Sequence, residues 1–504
     1  MIITDVPPGR LAARLRVVSW IAIVGMIPLV FYFTSRGTWN PRQENRDAAW
    51  SAGFFQSQAA SMLHGRLDVK PDAIIGECFE RNGRCYGYFG VTPSLLRVPV
   101  IGLLRYLRSG LTPVYLCVAV MLAYWAALQM LQRSLRESPD AAQSPDFAVC
   151  YLIIGALALG PGGSLLFVSR SAVYEEAIAW GVAFVLLAFN HVWAWSSGER
   201  RSLVPAVLFA AAAANARPSA AFAAAVLGPV VAALWVVKQR RALTGGADES
   251  KGRGPLRAHP WSGATRRVLV SALCLSLLPG LSAAAVFWLK LRSPIPSPLL
   301  NQQVRDAPHW KAIRQRNGNR TGGLIFAPTE LVAYFRPDAV SRRDKWPFFD
   351  FRFPDERPIL WVPPLREGGA YVERVSSLTS TMPLPWMVNV VVVAWLGVGA
   401  SRLAAARGRA LLITRDQWIL GAGLLASAAA MPVLIVTTHG VTNRYLGDFF
   451  ATSAVGMALG HRVILPGLAR RPVVGAATGL AALLLVAWSV VVTLSLTSRL
   501  VFVY

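Results

Sequence analysis

Residues 473–496 read VVGAATGLAALLLVAWSVVVTLSL, without one charged side chain. A helix of about 20 apolar residues crosses the hydrocarbon core of a bilayer, so this stretch is long enough to span it. Val17–Thr34, Val268–Leu289 and Trp386–Ala400 have the same character. Working outward from them, apolar stretches fall at 17–34, 111–132, 148–168, 172–194, 203–216, 218–237, 268–290, 386–401, 412–437, 445–461 and 473–496. The pattern predicts an all-α polytopic membrane protein, a single transmembrane domain over residues 1–504 with about eleven transmembrane helices.

Composition points the same way. The chain is 54% hydrophobic and 15% charged, against about 25% charged in an average soluble domain. Its mean hydropathy is +0.44. The net charge of +25, from 51 Lys and Arg against 26 Asp and Glu, would point to nucleic acid in a soluble chain. Here the basic residues gather in the short loops between apolar stretches, where the positive-inside rule puts them on the cytoplasmic side. No nucleic-acid partner is expected; membrane lipids are.

Arg10, Arg14 and Arg16 precede the first span, which places the N-terminus in the cytoplasm, with the chain expected in an inner membrane. Residues 17–34 lack a small-residue cleavage site and read as a retained span. Alternation then puts the basic, Gly- and Pro-rich segment 239–267 in the cytoplasm. Two long polar segments, 35–94 and 291–385, fall on the extracytoplasmic side. Charges are nearly absent from mid-span positions and collect at the outer helix ends, so the chemistry is sought there.

The first loop holds an amphipathic stretch from Arg46 to Leu63, with Trp50, Phe54, Phe55, Ala59 and Met62 at helical spacing. Glu44 and Asp47 stand at its start. Either carboxylate has the chemistry of a general base for a substrate hydroxyl; an acidic residue in a first helical turn is equally a partner for the helix dipole. Cys78 and Cys85 flank an Asn-Gly turn signal in GECFERNGRCYGYFG. They read as a disulfide pair in an oxidising compartment, with two free thiols as the alternative. Cys117, Cys150 and Cys274 lie in apolar stretches and read as packing residues. Glu77 adjoins an aromatic run of Tyr86, Tyr88 and Phe89, which either stacks on a sugar face or anchors the loop at the interface.

Further polar residues mark the other outer turns. Arg170 lies between the third and fourth spans and Glu175 and Glu176 open the fourth, so that an Arg170–Glu pair would close that hairpin. Arg217 breaks an apolar hairpin in NARPSA. His439 and Arg444 occupy THGVTNRYLGDF, where Arg444 reads either as a phosphate ligand or as the helical i,i+4 partner of Asp448. In the second loop Pro328–Tyr334 reads as a short helix. No close cluster of His, Cys and carboxylates has metal-ligand spacing; a divalent metal is compatible with the loops but not signalled.

A long outer loop after the first span, with an acidic residue and an in-plane helix, followed by a multi-span bundle, resembles the GT-C class of membrane glycosyltransferases. The stretches HGRLDV, GRCYGYFGVTPSLLRVPV, PTELVAYFRPDA, TSTMPLP and NRYLGDF are similar to patterns in uncharacterised actinobacterial members. The adjacent Asp-Glu pair that many members carry in the first loop is absent; Glu44 and Asp47 stand three residues apart instead. The resemblance implies a GT-C-like fold and a polyprenyl-phosphate-linked sugar as donor. It implies a glycan, lipid or protein acceptor outside the cell, and transfer with inversion in cell-envelope assembly. Asp47 or Glu44 would be the base, and Arg217, Arg444 and Arg170 would hold the donor phosphate. Glu175, Glu176, Glu77, Tyr88 and His439 would meet the substrates. Two other classes remain open on the residues alone: a transporter or flippase for a lipid-linked saccharide, and a non-catalytic membrane scaffold.

Overall fold

The computed structural model describes residues 8–41, 53–74, 77–103, 111–168, 172–199, 202–245, 263–294, 315, 323–352, 371–372, 374–405, 414–436, 440–469 and 472–502. Helices dominate: α1 (Pro8–Thr34), α2 (Phe54–Met62), α3 (Thr92–Leu103), α4 (Thr112–Arg136), α5 (Pro139–Gln143), α6 (Pro145–Leu159), α7 (Val173–Ser196), α8 (Leu203–Ala214), α9 (Ala220–Gly245) and α10 (Gly263–Leu291). After the second long loop come α11 (Ala327–Phe335), α12 (Leu378–Thr381), α13 (Pro383–Ala405), α14 (Arg415–Ile435), α15 (Phe450–Ala469) and α16 (Pro472–Phe502).

Eight described helical stretches are long and apolar enough to cross a membrane, beginning near residues 9, 112, 145, 173, 220, 263, 383 and 473. This is fewer than the eleven expected. The stretch read as a span at 203–216 forms α8, of only 12 residues, about 18 Å at 1.5 Å per residue, and is not among those eight. Two others, expected at 412–437 and 445–461, form α14 and α15, of 21 and 20 residues, which lie outside those eight.

The segment Asn443–Phe449 winds as a 3-10 helix before α15 begins at Phe450.

Helix α7 is the axis of the bundle. In its apolar window 89% of residues are buried, against 28% for α10 at the periphery. Alanines and glycines let neighbouring helices approach closely: a Cβ on Gly228 of α9 would stand 1.9 Å from the Ser276 hydroxyl of α10, and one on Gly456 of α15 1.9 Å from Asn389 of α13.

The two faces of the bundle differ. On one, α1, α4, α6, α7, α9, α14 and α15 place basic ends together: Arg14 bonds Asp146 at 2.7 Å, Arg133 bonds Glu199 at 2.9 Å and Arg241 bonds Asp416 at 2.6 Å. The long loops stand on the opposite face. There β1 (Phe79–Arg81) and β2 (Arg84–Tyr86) pair antiparallel through a turn in which Asn82 and Gly83 both take positive φ, 52° and 68°, the backbone a two-residue hairpin needs. The Cys78 and Cys85 sulfurs are bonded across this hairpin.

The second loop forms a hairpin of β3 (Val340–Arg342) and β4 (Phe349–Phe351). It also contributes β5 (Tyr371–Val372), which runs parallel to β6 (Gly440–Val441). That pairing clasps the second loop to the chain leading into Asn443–Phe449.

Candidate active site on the loop face

The N-terminal end of α7, the α8–α9 junction, the strap that follows β2 and the 3-10 turn Asn443–Phe449 meet at the loop face. Tyr174, in the first turn of α7, is the meeting point. The Arg444 guanidinium lies over its ring at 4.0 Å from the centroid. Phe89 packs edge-on against it at 5.1 Å, and Tyr88 stacks on Phe89 at 4.4 Å. The Glu77 carboxylate faces the Tyr174 hydroxyl. A carboxylate, a guanidinium and two phenols thus converge on the loop face.

Their charges act on one another. Burial pushes the Tyr88 phenol well above the ordinary tyrosine range, and the Glu77 carboxylate and Tyr445 raise it further. The Tyr174 hydrogen bond and the Arg444 charge offset part of that rise. Tyr88 therefore stays protonated, half-buried in this cluster.

Arg217, expected to face outward, lies at the α8–α9 junction on the loop face and is committed to a partner. Its Nε donates to Asp448 Oδ1 at 3.1 Å and its Nη2 to Oδ2 at 2.6 Å, and the Ser219 hydroxyl adds a bond to Oδ1 at 3.3 Å. The carboxylate is completely buried. Burial alone would lower the Arg217 pKa; the charge and hydrogen bonds of Asp448 overcome this and hold it above the ordinary arginine value. The helical Arg444–Asp448 ion pair weighed from sequence gives way to this cross-chain pair. Gly181 of α7 admits Arg217, since a Cβ there would stand 2.7 Å from the arginine Cβ.

Glu176 is equally committed. Arg97 of α3 donates to both its oxygens, at 2.5 and 2.7 Å, with both side chains fully buried. Trp180 Nε1 adds a bond at 3.3 Å, and the Arg97 guanidinium lies 4.1 Å from the centroid of the Tyr115 ring. Glu175 is buried beside it at the start of α7.

The strap Gly87–Tyr88–Phe89–Gly90 is fixed from below. Lys290, the last cation of α10 and fully buried, donates to the carbonyls of Phe89 at 2.5 Å and Gly87 at 3.4 Å, the two residues flanking Tyr88. With its amide oxygen turned toward the ammonium, Gln58 of α2 accepts from Lys290 at 2.8 Å and donates to the Ser94 hydroxyl at 2.7 Å. Gly90 lies so close to the α8 end that a Cβ would fall 1.8 Å from the Asn215 carbonyl oxygen. Thr92 completes the seam, its N–H and hydroxyl donating to the carbonyls of Asn215 and Ala212, each at 2.9 Å.

The second loop closes on the same region. The Tyr334 hydroxyl of α11 accepts from the Thr442 N–H at 3.1 Å, and the backbone N–H and hydroxyl of Ser376 donate to Asn443 Oδ1 at 3.1 and 2.8 Å. One turn before Tyr334 lies Glu330, fully buried, with neither carboxyl oxygen hydrogen-bonded within bonding geometry to any described residue. Burial pushes its pKa up to about 8, only partly offset by the Tyr334 hydroxyl.

Of the residues singled out from sequence, Glu77, Tyr88, Arg217 and Arg444 come together around Tyr174. Glu175 and Glu176 follow Tyr174 in the same first turn of α7, Glu176 paired with Arg97. Asp47, Glu44, Arg170 and His439 lie outside the described residues. The described chain resumes at Gly53, and Phe54 packs against Phe89 at 5.1 Å. Among the described residues no group of three or more His, Cys, Asp or Glu could hold a metal ion. Sequence reading missed Tyr445, whose ring stands 5.3 Å from the Arg217 guanidinium, as well as Lys290 and Arg97. A lone cation ending an apolar span, or inside TPSLLRVPV, was the available signal.

No family model and no curated protein matches the chain. Among solved structures it is similar to the oligosaccharyltransferase of Archaeoglobus fulgidus. The apo form aligns at 13% identity and a TM-score of 0.40 over 95% of this chain and 56% of that one. The form tethered to an acceptor peptide containing the NVT sequon aligns at 13% identity and 0.41, over 95% and 55%. The complex with an inhibitory peptide and a dolichol-phosphate aligns at 11% identity and 0.40, over 95% and 55%. The chain spans about half the length of these structures. At this level of overlap the functional reading rests on the geometry of the loop face.

Proposed function

We propose that the protein is a membrane glycosyltransferase that moves a sugar from a polyprenyl-phosphate donor to an acceptor hydroxyl on the extracytoplasmic side. The single observation that carries this reading is the Arg444 guanidinium held on the Tyr174 ring beside Glu77 and Tyr88. A fixed guanidinium at headgroup depth is suited to a lipid phosphate, which it can bind bidentately. Phenol rings next to it supply faces for a sugar.

In the proposed reaction a carboxylate takes the proton of the acceptor hydroxyl. The acceptor oxygen then bonds to the anomeric carbon from the side opposite the phosphate, and the bond from that carbon to the phosphate oxygen breaks, inverting the centre. The polyprenyl phosphate leaves with the bonding electron pair, its charge met by Arg444. Asp47 is the proposed base, with Glu44 beside it in sequence; Glu77 is the carboxylate already inside the described cluster. Arg217, paired with Asp448, acts on this reading by holding the segment that carries Arg444.

The test uses bare polyprenyl phosphate bound to the purified, detergent-solubilised protein. A charge-assisted hydrogen bond contributes about 1.5–3 kcal/mol. Arg444→Ala should therefore weaken binding about ten- to a hundredfold, while Asp47→Asn leaves it unchanged and abolishes transfer. Unaltered binding by Arg444→Ala would remove this site. A structure with the lipid phosphate seated midway through the bundle would favour a transporter instead.

A further inference from the structure

The basic face holds a second site, at the far end of α7 and about 35 Å from Tyr174 by helical rise over 24 residues. The ends of α4 and α7, the middle of α15 and the start of α14 line a cavity of about 280 Å³, bounded among others by Glu137, Trp193, Asp416, Leu420, Leu459 and Arg462. Glu137 is satisfied: it accepts from Trp193 Nε1 at 2.8 Å and from the Ser197 hydroxyl at 2.6 Å. Its distance to Arg462 Nη2 is a long 3.9 Å. Arg462 Nε is buried without a hydrogen-bond partner among the described residues. Asp416 uses Oδ2 to accept from Arg241 at 2.6 Å, while its Oδ1 is buried without a partner among the described residues.

The cavity thus presents one unmet carboxylate acceptor and one unmet guanidinium donor between apolar walls of Leu420, Leu459 and Trp193. Buried polar atoms are costly unless bonded. A simple anion would meet Arg462 but face the Asp416 and Glu137 carboxylates; a simple cation would meet Asp416 but face Arg462. A ligand carrying both charges satisfies both ends at once. The cavity sits at the ends of α4 and α7, two helices long and apolar enough to cross a membrane. We propose that it binds the phosphoethanolamine headgroup of a bilayer lipid in the leaflet beside the basic face. The primary ammonium donates to Asp416 Oδ1 and the phosphate accepts from Arg462 Nε. Bound this way, the lipid ties α4, α7, α14 and α15 together.

The experiment measures thermal unfolding of the full chain in nanodiscs of dioleoyl phosphatidylethanolamine, phosphatidylcholine or phosphatidylglycerol, and in detergent with soluble phosphoethanolamine. A ligand that binds only the folded state raises Tm. The ethanolamine lipid should give the highest Tm, because the choline headgroup has no N–H to donate and the glycerol headgroup has no cation. In Asp416→Asn its apparent affinity should fall about tenfold. That variant also loses the Arg241 ion pair, so the readout is the gap between lipids and not Tm itself. Equal Tm in the ethanolamine and choline lipids, an equal or larger rise with the glycerol lipid, or a gap that survives Asp416→Asn would overturn the proposal. A shift with soluble phosphoethanolamine as large as the lipid's would overturn the lipid as its source.

Discussion

The Arg97–Glu176 pair fixes how the first outer loop sits on the bundle, and its energetics can be worked from its geometry. Both side chains are fully buried and bonded at 2.5 and 2.7 Å. Removing one partner of such a pair strands a buried charge and costs about 3–5 kcal/mol, whereas replacing both with apolar side chains is often close to neutral. Here the double replacement is not free, because other groups lean on the pair. Arg97 Nη1 also bonds the Pro93 carbonyl at 3.1 Å, and Trp180 Nε1 bonds Glu176 at 3.3 Å. Stranding such groups costs about 1–3 kcal/mol. Arg97→Met and Glu176→Leu should each lose about 3–5 kcal/mol, and the double variant about 1–3 kcal/mol, far less than the sum of the singles. The assay is a double-mutant cycle on denaturant or thermal unfolding in one fixed detergent. Additive losses would show that the two charges do not depend on each other, and the account of a coupled buried pair would fail.

Glu330 makes stability depend on pH. Its folded pKa, about 8, stands above the ordinary 4.5, so the unfolded chain releases this proton first as pH rises. The stability tied to the neutral carboxyl is fully present below pH 4.5, falls between 4.5 and 8 and is gone above 8; Glu330→Gln should flatten that part of a Tm-against-pH profile, and a profile identical to the parent's would refute the assignment. Gly90→Ala would put a Cβ 1.8 Å from the Asn215 carbonyl oxygen and should cost about 1–3 kcal/mol or more through overpacking. Gly102→Ala in α3, whose nearest neighbour would be 3.7 Å away, should be neutral or gain up to about 1 kcal/mol; equal melting shifts in the two would contradict the close packing of the strap.

Local chemistry was legible in the sequence, and long-range pairing was not. Apolar length revealed most of the membrane-crossing helices, because a bilayer demands it of each helix separately. The turn at Asn82 and Gly83 was legible because both residues take positive φ readily. The short outer helix was readable from Pro328, and forms as Ala327–Phe335. Helix α8 is apolar throughout but only 12 residues long, and alanine-rich sequence does not mark where such a helix stops. Arg97 meets Glu176 across 79 residues and Lys290 meets the Phe89 carbonyl across 201. No local pattern marks such partners, and each looked like an isolated cation in apolar sequence.

The division of labour between Arg217 and Arg444 follows from the winding of one short segment. In an α-helix residues four apart share a face, and Arg444 and Asp448 would pair. Asn443–Phe449 is instead a 3-10 helix, with three residues per turn, so residues four apart point about 120° away from each other. Asp448 therefore turns inward, where Arg217 reaches it across 231 residues of sequence. Gly447 makes that approach feasible: a Cβ there would stand 2.5 Å from the Phe167 ring. The buried pair then holds the turn against α7, and the Arg444 guanidinium comes to rest over the Tyr174 ring at 4.0 Å. One arginine secures the segment and the other is presented by it. Disrupting the first should therefore displace the second, and Asp448→Asn should weaken polyprenyl-phosphate binding although Asp448 is buried away from any ligand.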